Sequence, residues 1–310
     1  MSKTPGRLRS PIGRRSRRLR VSSFRATRCG LTRRRQCASW VCRRVGLKRL
    51  WKVLLRGFKR MAMLTGGDSR GGEVPLLVAA AMSRELAPLI AEGVPGLAFL
   101  KTGMGVLNAR RSLQAHLLRH RARALIGIGF AGALSSSLRV GDLIVAREVW
   151  RESERTDLLP EFFSPAEAAR EIGVEFRFGK VLTVDEIVDK AASKRLLAQR
   201  FGPEEIACVD MESAALTEVC REHRLPLLII RCVTDLMNED LPLDLSRCVR
   251  PDGALSTVKM MKAVLSKPGS ISGLWDLRRR SDMCARRMAV LVRRIAPLLR
   301  DHVEAQRTSL

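Results

Sequence analysis

The sequence predicts an α/β fold, a three-layer α-β-α arrangement around a central, largely parallel, twisted sheet. Three observations carry that expectation. From Pro75 onward, short apolar runs alternate with stretches of helical period, as in a sheet whose strands are joined by crossover helices. The apolar runs are continuous rather than alternating, which suits strands buried on both faces. Glycines and acids gather where those runs end, and open α/β sheets bind ligands outside the carboxyl ends of their strands.

Residues 76–82 read as the first strand, with Ser83 placed to cap a helix over 84–91. A second strand, 97–104, ends at Gly103-Met104-Gly105, and a helix over 108–121 follows. Residues 124–130 form another buried run that leads into Gly-Phe-Ala-Gly-Ala-Leu at 129–134, and 142–149 is the next strand. Weak periodicity with Pro160 and Pro165 marks 151–174 as a variable surface loop holding a short helix. Strands are expected over 179–184 and 227–233, separated by helices over 190–200 and 211–224. A helix over 253–265, a break at Lys267-Pro268-Gly269 and a long amphipathic helix from Leu274 to about His302, interrupted at Pro297, complete the pattern.

Charge divides the chain. Of the net charge of +26, 21 Lys and Arg lie before Met61, where there is no Asp or Glu. The basic character therefore belongs to an extension at 1–60 and not to the domain expected over 75–302, which residues 61–74 link and 303–310 follow as a tail. Residues 1–44 lack the apolar content to fold, whereas Leu47, Leu50, Trp51, Leu54, Leu55 and Phe58 recur at helical spacing among basic residues. Two readings of the extension stay open: a translated segment able to contact nucleic acid or an anionic membrane, or an untranslated upstream frame ahead of Met61. No apolar run reaches the roughly 20 residues of a membrane-spanning helix. The eight cysteines contain no CxxC pair, so reduced thiols in a cytoplasmic setting are expected. His116 and His120 stand four apart without the Glu of a metalloprotease helix, and neither a metal nor a cofactor is expected.

Four clusters at strand ends are candidates for chemistry: Ala81 to Glu85, Gly129 to Gly132, Val209 to Ser213, and Arg231 to Asp235. Each has an ordinary structural explanation. Glu85 and Glu212 would suit the first turn of a helix, Asp210 and Asp235 would serve as caps, and Gly129 and Gly132 would permit a tight turn.

Taken in order, the clusters resemble the nucleoside phosphorylase and nucleosidase superfamily, and especially its 5′-methylthioadenosine/S-adenosylhomocysteine nucleosidase branch. Ala-Met-x-x-Glu stands at 81–85, Lys-x-Gly-x-Gly at 101–105, Gly-x-Ala-Gly-x-Leu at 129–134 and Val-Gly-Asp at 140–142. Asp210-Met211-Glu212 and Thr234-Asp235 complete the series. The resemblance implies cleavage of the N-glycosidic bond of an adenosyl-type purine nucleoside. Glu85 would activate water, Glu212 would grip the ribose hydroxyls, Met211 would pack on the sugar and Asp235 would protonate the purine. Gly103, Gly105, Gly129, Phe130, Ile187, Val188 and Thr234 would complete the substrate site, and a homodimer is implied as well.

Two positions depart from the branch. Phe130 stands where its members carry Ser, and Ile187 where they carry the Phe that stacks on adenine. The chain also lacks the Gly-Asp-Pro-x-Arg phosphate loop of hexameric phosphorylases, although Arg84 lies near enough in sequence to meet an anion. Hydrolysis is expected over phosphorolysis, which remains the alternative. The C-terminal region is similar to the tail of hopanoid-associated phosphorylases, where Met260, Met261, Val264 and Leu265 would line an apolar channel or simply pack as core. A reading from another class is a non-catalytic nucleoside- or nucleic-acid-binding protein.

Overall fold

The computed structural model describes residues 76–158, 173–202, 205–254, 256–266 and 268–308. The basic extension, with its amphipathic stretch at 47–58, lies outside them, as does the short helix expected within 159–172. Along the described residues run β1 (Leu76–Ala80), α1 (Ser83–Glu92), β2 (Leu97–Lys101), α2 (Val106–Leu117), β3 (Ala124–Ala133), β4 (Leu143–Arg151) and β5 (Glu154–Asp157). There follow β6 (Arg177–Thr183), α3 (Ala191–Ala198), β7 (Ala207–Asp210), α4 (Ser213–Glu222), β8 (Leu227–Asp235), α5 (Thr257–Ser266) and α6 (Ile271–Thr308).

Successive side chains of a strand face opposite sides of its sheet, and β1 shows how the layers form. Leu76, Val78 and Ala80 pack with Leu86 and Leu89 of α1 and with Met288, Val292 and Ile295 of α6. Leu77 and Ala79 enter a second core with Ala109 and Leu113 of α2 and Leu216 and Val219 of α4. The sheet therefore lies between an α1/α6 layer and an α2/α4 layer, which is the three-layer α-β-α order. A smaller cluster joins Leu182, Ala207 and Val209 to Val188 and Leu197 near α3.

Five strand pairings are parallel: β1 with β2 and β3, β3 with β8, β4 with β6, and β6 with β7. Three are antiparallel, β3 with β7, β4 with β5 and β4 with β8. Together the pairings β3-β8-β4-β6-β7-β3 close a five-stranded ring, from which β1 and β2 extend on one side and β5 on the other. The sheet is thus mixed. The reversal at β4 follows from the short 134–142 link, because a parallel connection needs a crossover of a dozen or more residues.

Some local expectations change. Ser83 is the first residue of α1 and Met82 the residue before it; the terminus is held by Glu85 and not by a Ser83 cap. Residues 154–157, expected as loop, form β5, and 207–210 form β7 ahead of α4. Helix α6 passes through Pro297 to Thr308 without interruption. A proline removes one backbone bond from a helix, and here Ile295, Ala296 and Leu299, at most 1% exposed, hold the helix to the sheet on either side of it. Met261 is exposed at the surface, while the side chains of Met260, Val264 and Leu265 lie outside the described residues.

Helix α6 should behave as part of the folding unit. Met288→Ala, which empties a fully buried position, is expected to destabilise the protein by about 2–5 kcal/mol in urea unfolding. Val290→Ala on the outer side of the same helix, 36% exposed, should change stability by less than about 0.5 kcal/mol.

Candidate active site

Glu85 is placed by the junction of β1 and α1. It is the third residue of α1, and its carboxylate turns back so that Oε2 accepts the Met82 N–H at 2.7 Å. Oε1 accepts the N–H of Phe130 at 3.0 Å, which ties the helix start to the carboxyl half of β3. Residue 130 thus contributes its backbone to the site, while its ring packs against the α1/α6 core. Burial pushes the Glu85 carboxyl up to about 7, against the pull of the two N–H groups and of Arg231.

Glu212 occupies the turn between β7 and α4, and its Oε1 accepts the N–H of Gly105 at 2.9 Å. Gly105 has φ +93°, in the region that glycine tolerates. A Cβ there would lie 4.0 Å from Cε of Met211, so Met211 faces the same turn. Gly103 has a purely local reason: a Cβ at its φ of +82° would meet the Asp252 carbonyl oxygen at 2.6 Å. Burial pushes Glu212 up to about 8, with Asp210 adding to the shift and Arg231 opposing it.

Between the two glutamates lies Arg231, in mid-strand on β8 and 1% exposed. A buried guanidinium needs a charge partner and filled hydrogen bonds. Asp210 supplies the charge at 2.6 Å, and Ser213 Oγ accepts from Nη2 at 2.8 Å. Asp210 in turn accepts the Ser213 hydroxyl and N–H and the Thr183 hydroxyl, so each of its oxygens is engaged. Gly129 pairs with Arg231 in register. A Cβ on Gly129 would lie 2.2 Å from Arg231 Nη1, so the glycine is required by the guanidinium beside it.

Asp235 ends β8. Its Oδ1 accepts the Thr234 hydroxyl at 2.9 Å, and its Oδ2 is bonded to Nζ of Lys194, a fully buried lysine on α3. Lys194 Nζ also donates to the carbonyls of Leu236 at 3.0 Å and Glu239 at 2.9 Å. Burial raises Asp235 above the usual carboxylate range, while Lys194 and the Thr234 hydroxyl pull it down. A Cβ on Gly132 would approach Asp235 Oδ2 to 3.0 Å, so β3 passes close to this carboxyl too. Beside Asp235 a cavity of about 80 Å³ opens between the 239–242 loop and Gly273, Asp276, Leu277 and Arg280 of α6.

The fold thus gathers Glu85, Phe130 N–H, Gly129, Gly105, Met211, Glu212, Thr234 and Asp235 at one end of the strands. Ile187 and Val188 sit half-buried between β6 and α3; Val188 joins the small core near α3, and the Ile187 carbonyl accepts the Ser246 hydroxyl. Arg84 is paired with Asp282 on α6. Among the described residues, no three His, Cys, Asp or Glu side chains converge as a metal site. Sequence reasoning missed Lys194, placed Arg231 in a candidate cluster without giving it a role, and gave Asp210 a capping role and a place in the Asp-Met-Glu motif. Both bases left a trace: Arg231 interrupts an otherwise apolar strand, and Lys194 stands three residues from Ala191 and from Leu197, on the apolar side of its helix.

The raised carboxyls give stability a defined pH dependence. An acid whose pKa is higher folded than unfolded favours the folded state below its unfolded value, and that contribution is lost as pH rises through the folded value. For Glu85 and Glu212 the loss runs from the ordinary 4.5 to about 7 and about 8. The thermal midpoint should therefore fall across that window, and Glu212→Gln should flatten the upper part of the decline. An unchanged slope in the variant would contradict the assignment.

Comparison with known proteins agrees with this architecture. The family model described as Phosphorylase superfamily matches residues 93–247. The chain is 26% identical over 191 residues to the 5′-methylthioadenosine/S-adenosylhomocysteine nucleosidase of Halalkalibacterium halodurans, covering 56% of this chain and 81% of that protein. It is 26% identical over 187 residues to the corresponding Buchnera aphidicola protein, covering 54% and 78%. In structure it is similar to the nucleosidase of the same name from Helicobacter pylori in complex with a substituted pyrrolidin-3-ol, with a TM-score of 0.52 and 16% identity over 72% of this chain and 99% of that one. A futalosine hydrolase mutant from the same organism gives a TM-score of 0.52 at 16% identity, covering 71% and 99%. At such identities the structural likeness concerns the fold alone. The family match spans half of the chain and includes Gly105, the β3 glycines, Asp210, Glu212, Arg231 and Asp235, with Glu85 just ahead of it; the chain belongs to the Phosphorylase superfamily.

Proposed function

We propose that this protein hydrolyses the N-glycosidic bond of a purine nucleoside of the adenosyl type. The observation that carries the reading is the placement of three buried carboxyls: Glu85 and Glu212, both within electrostatic reach of Arg231 on β8, and Asp235 at the end of the same strand. Cleaving a ribose–purine bond develops positive charge on the sugar and negative charge on the base. It therefore calls for carboxylates near the sugar and a proton donor at the base. The names of the sequence relatives support the same reaction and the same substrate class.

Glu85, with a pKa near neutrality, is suited to accept a proton from water. Its two backbone contacts fix the carboxylate and leave a lone pair on each oxygen for that purpose. The water oxygen bonds to the anomeric carbon as the carbon–nitrogen bond breaks, and the electron pair of that bond passes to the purine. Asp235 delivers a proton to the purine as it leaves. Glu212, whose Oε1 is held by the Gly105 N–H, binds the ribose hydroxyls through its carboxyl. Met211 covers the sugar.

A test separates the acids by role. Asp235→Asn should severely reduce kcat/KM for adenosyl nucleosides, because an amide cannot supply the proton, and should affect a nitrophenyl riboside far less. Glu212→Ala should impair both substrates, by roughly ten- to hundredfold for a lost bond worth about 1.5–3 kcal/mol. Equal losses for both substrates in Asp235→Asn would remove Asp235 as the donor. Base release that requires phosphate would make the enzyme a phosphorylase, and binding without base release would make it a nucleoside-binding protein.

The reading extends to assembly and location. A homodimer is the default symmetric state for such a fold, and light scattering at micromolar concentration should give twice the chain mass; a monomer mass would rule it out. Five buried cysteines among the described residues are free thiols, which supports a reducing, cytoplasmic compartment that cell fractionation would check. Among the described residues, no helix is long and apolar enough to cross a membrane.

A further inference from the structure

Lys194 is 0% exposed, and every donor direction of its ammonium is used: Asp235 Oδ2, the Leu236 carbonyl and the Glu239 carbonyl. A lysine is rarely fully buried unless its charge is paired. Its position is not explained by packing, since α3 buries only Ala191 beside it. Asp235 itself is held by Lys194 and the Thr234 hydroxyl, and the residue also borders the 80 Å³ cavity walled by the 239–242 loop and α6. Lys194 therefore fixes both the orientation of the carboxyl and the 236–239 turn that walls the cavity beside it.

We propose that Lys194 is a positioning residue for protonation of the leaving base: its ammonium fixes the orientation of the Asp235 carboxyl and sets the pH range over which that carboxyl carries a proton. This rests on the hydrolytic reading above. The proton balance is closed without Lys194 changing its charge. Asp235 loses its proton to the purine nitrogen, Glu85 gains one from the attacking water, and both return to their starting states by exchange with solvent.

Among the charged groups around Asp235, Lys194 has the largest influence. Glu239 and Asp240 face it from the loop, and Asp276 and Arg280 from α6 line the same cavity. Arg280 is bonded to Glu239 at 2.7 Å and to Asp276 at 2.6 Å, so those charges largely answer one another. Asp240 accepts the Ala191 N–H at 2.8 Å and pairs with Lys190. Cys284 on α6 also lies near, and its thiol donates to the Val233 carbonyl. Lys194 alone among these groups bonds the Asp235 side chain from another element. Burial and the ammonium act in opposite directions on Asp235, with burial the larger, so removal of the ammonium leaves only the Thr234 hydroxyl to oppose burial.

The test is the pH profile of kcat/KM in wild type, Lys194→Met and Lys194→Arg, with thermal unfolding as the check of folding. For adenosyl nucleosides the profile should fall on its basic side as Asp235 loses its proton. Lys194→Met should move that limb upward by about one pH unit or more and lower the plateau by about tenfold or more. Lys194→Arg, which keeps the charge, should leave the limb near its original pH. A nitrophenyl riboside should show neither the limb nor its displacement. An unmoved limb in folded Lys194→Met, or the same displacement with the nitrophenyl substrate, would overturn the proposal. The double variant Asp235→Asn/Lys194→Met removes both charges together and keeps the test open if the single variant does not fold. Relative to Asp235→Asn alone it should turn over adenosyl nucleosides within about twofold, and a further tenfold loss would show that Lys194 acts through the turn and not through Asp235. If wild type releases no base from any nucleoside, the hydrolytic reading fails, which is a different outcome from an unmoved limb in an active enzyme.

Discussion

The ion pair between Arg231 and Asp210 is the contact on which the arrangement of the site depends. Neither partner touches solvent appreciably, and they meet at 2.6 Å. Breaking a pair of this kind by removing one partner typically costs about 3–5 kcal/mol, because the other charge is left stranded. Asp210 is also the acceptor for Ser213 and Thr183, so the same carboxylate joins β6, the start of α4 and β8. Glu85 and Glu212 then lie around a fixed positive charge whose position follows from the strand register. Their ionisation is shaped by it: both feel Arg231 as a downward influence that burial outweighs.

This dependence also explains why the glycines read differently in sequence and in structure. Gly129 and Gly132 look like residues that let a strand turn, yet both lie within β3. What they provide is room, for a guanidinium in one case and a carboxylate in the other. Gly105 combines both uses, since its positive φ presents the N–H that Glu212 accepts. A single sequence shows that a side chain is absent but not what occupies the space, because the occupant comes from a strand about one hundred residues away.

The layers were legible for a simple reason. Continuous apolar runs such as 76–80 and 124–128 can only be strands buried on both faces, and the amphipathic segments between them must cover those faces. Glu85, Glu212 and Asp235 were legible through their order along the chain. The short strands were not. The β5 sequence Glu-Arg-Thr-Asp has no apolar residue, and the four residues of β7 give too little pattern to distinguish strand from the approach to a helix. The direction of β4 is set by the length of the 134–142 link, which periodicity does not encode. Arg231 and Lys194 were hidden by the ordinary assumption that charged residues face water. In both cases the useful sign was a cation at a position flanked on its own side by apolar residues, Ile229 and Val233 for Arg231 and Ala191 and Leu197 for Lys194.

Closure of the five-stranded ring has a bearing on how the protein keeps company with other chains. A strand edge left open is a template for unwanted pairing. With β3, β8, β4, β6 and β7 all bonded on both sides, the described sheet has only β2 and β5 as free edges. The edge at β5 is four residues long and carries three charged side chains, and the edge at β2 ends in an exposed lysine. Both features discourage edge-to-edge addition of another strand. The apolar interior strands that make the site possible are therefore shielded from self-association by topology, and the two margins that topology leaves open are guarded by charge.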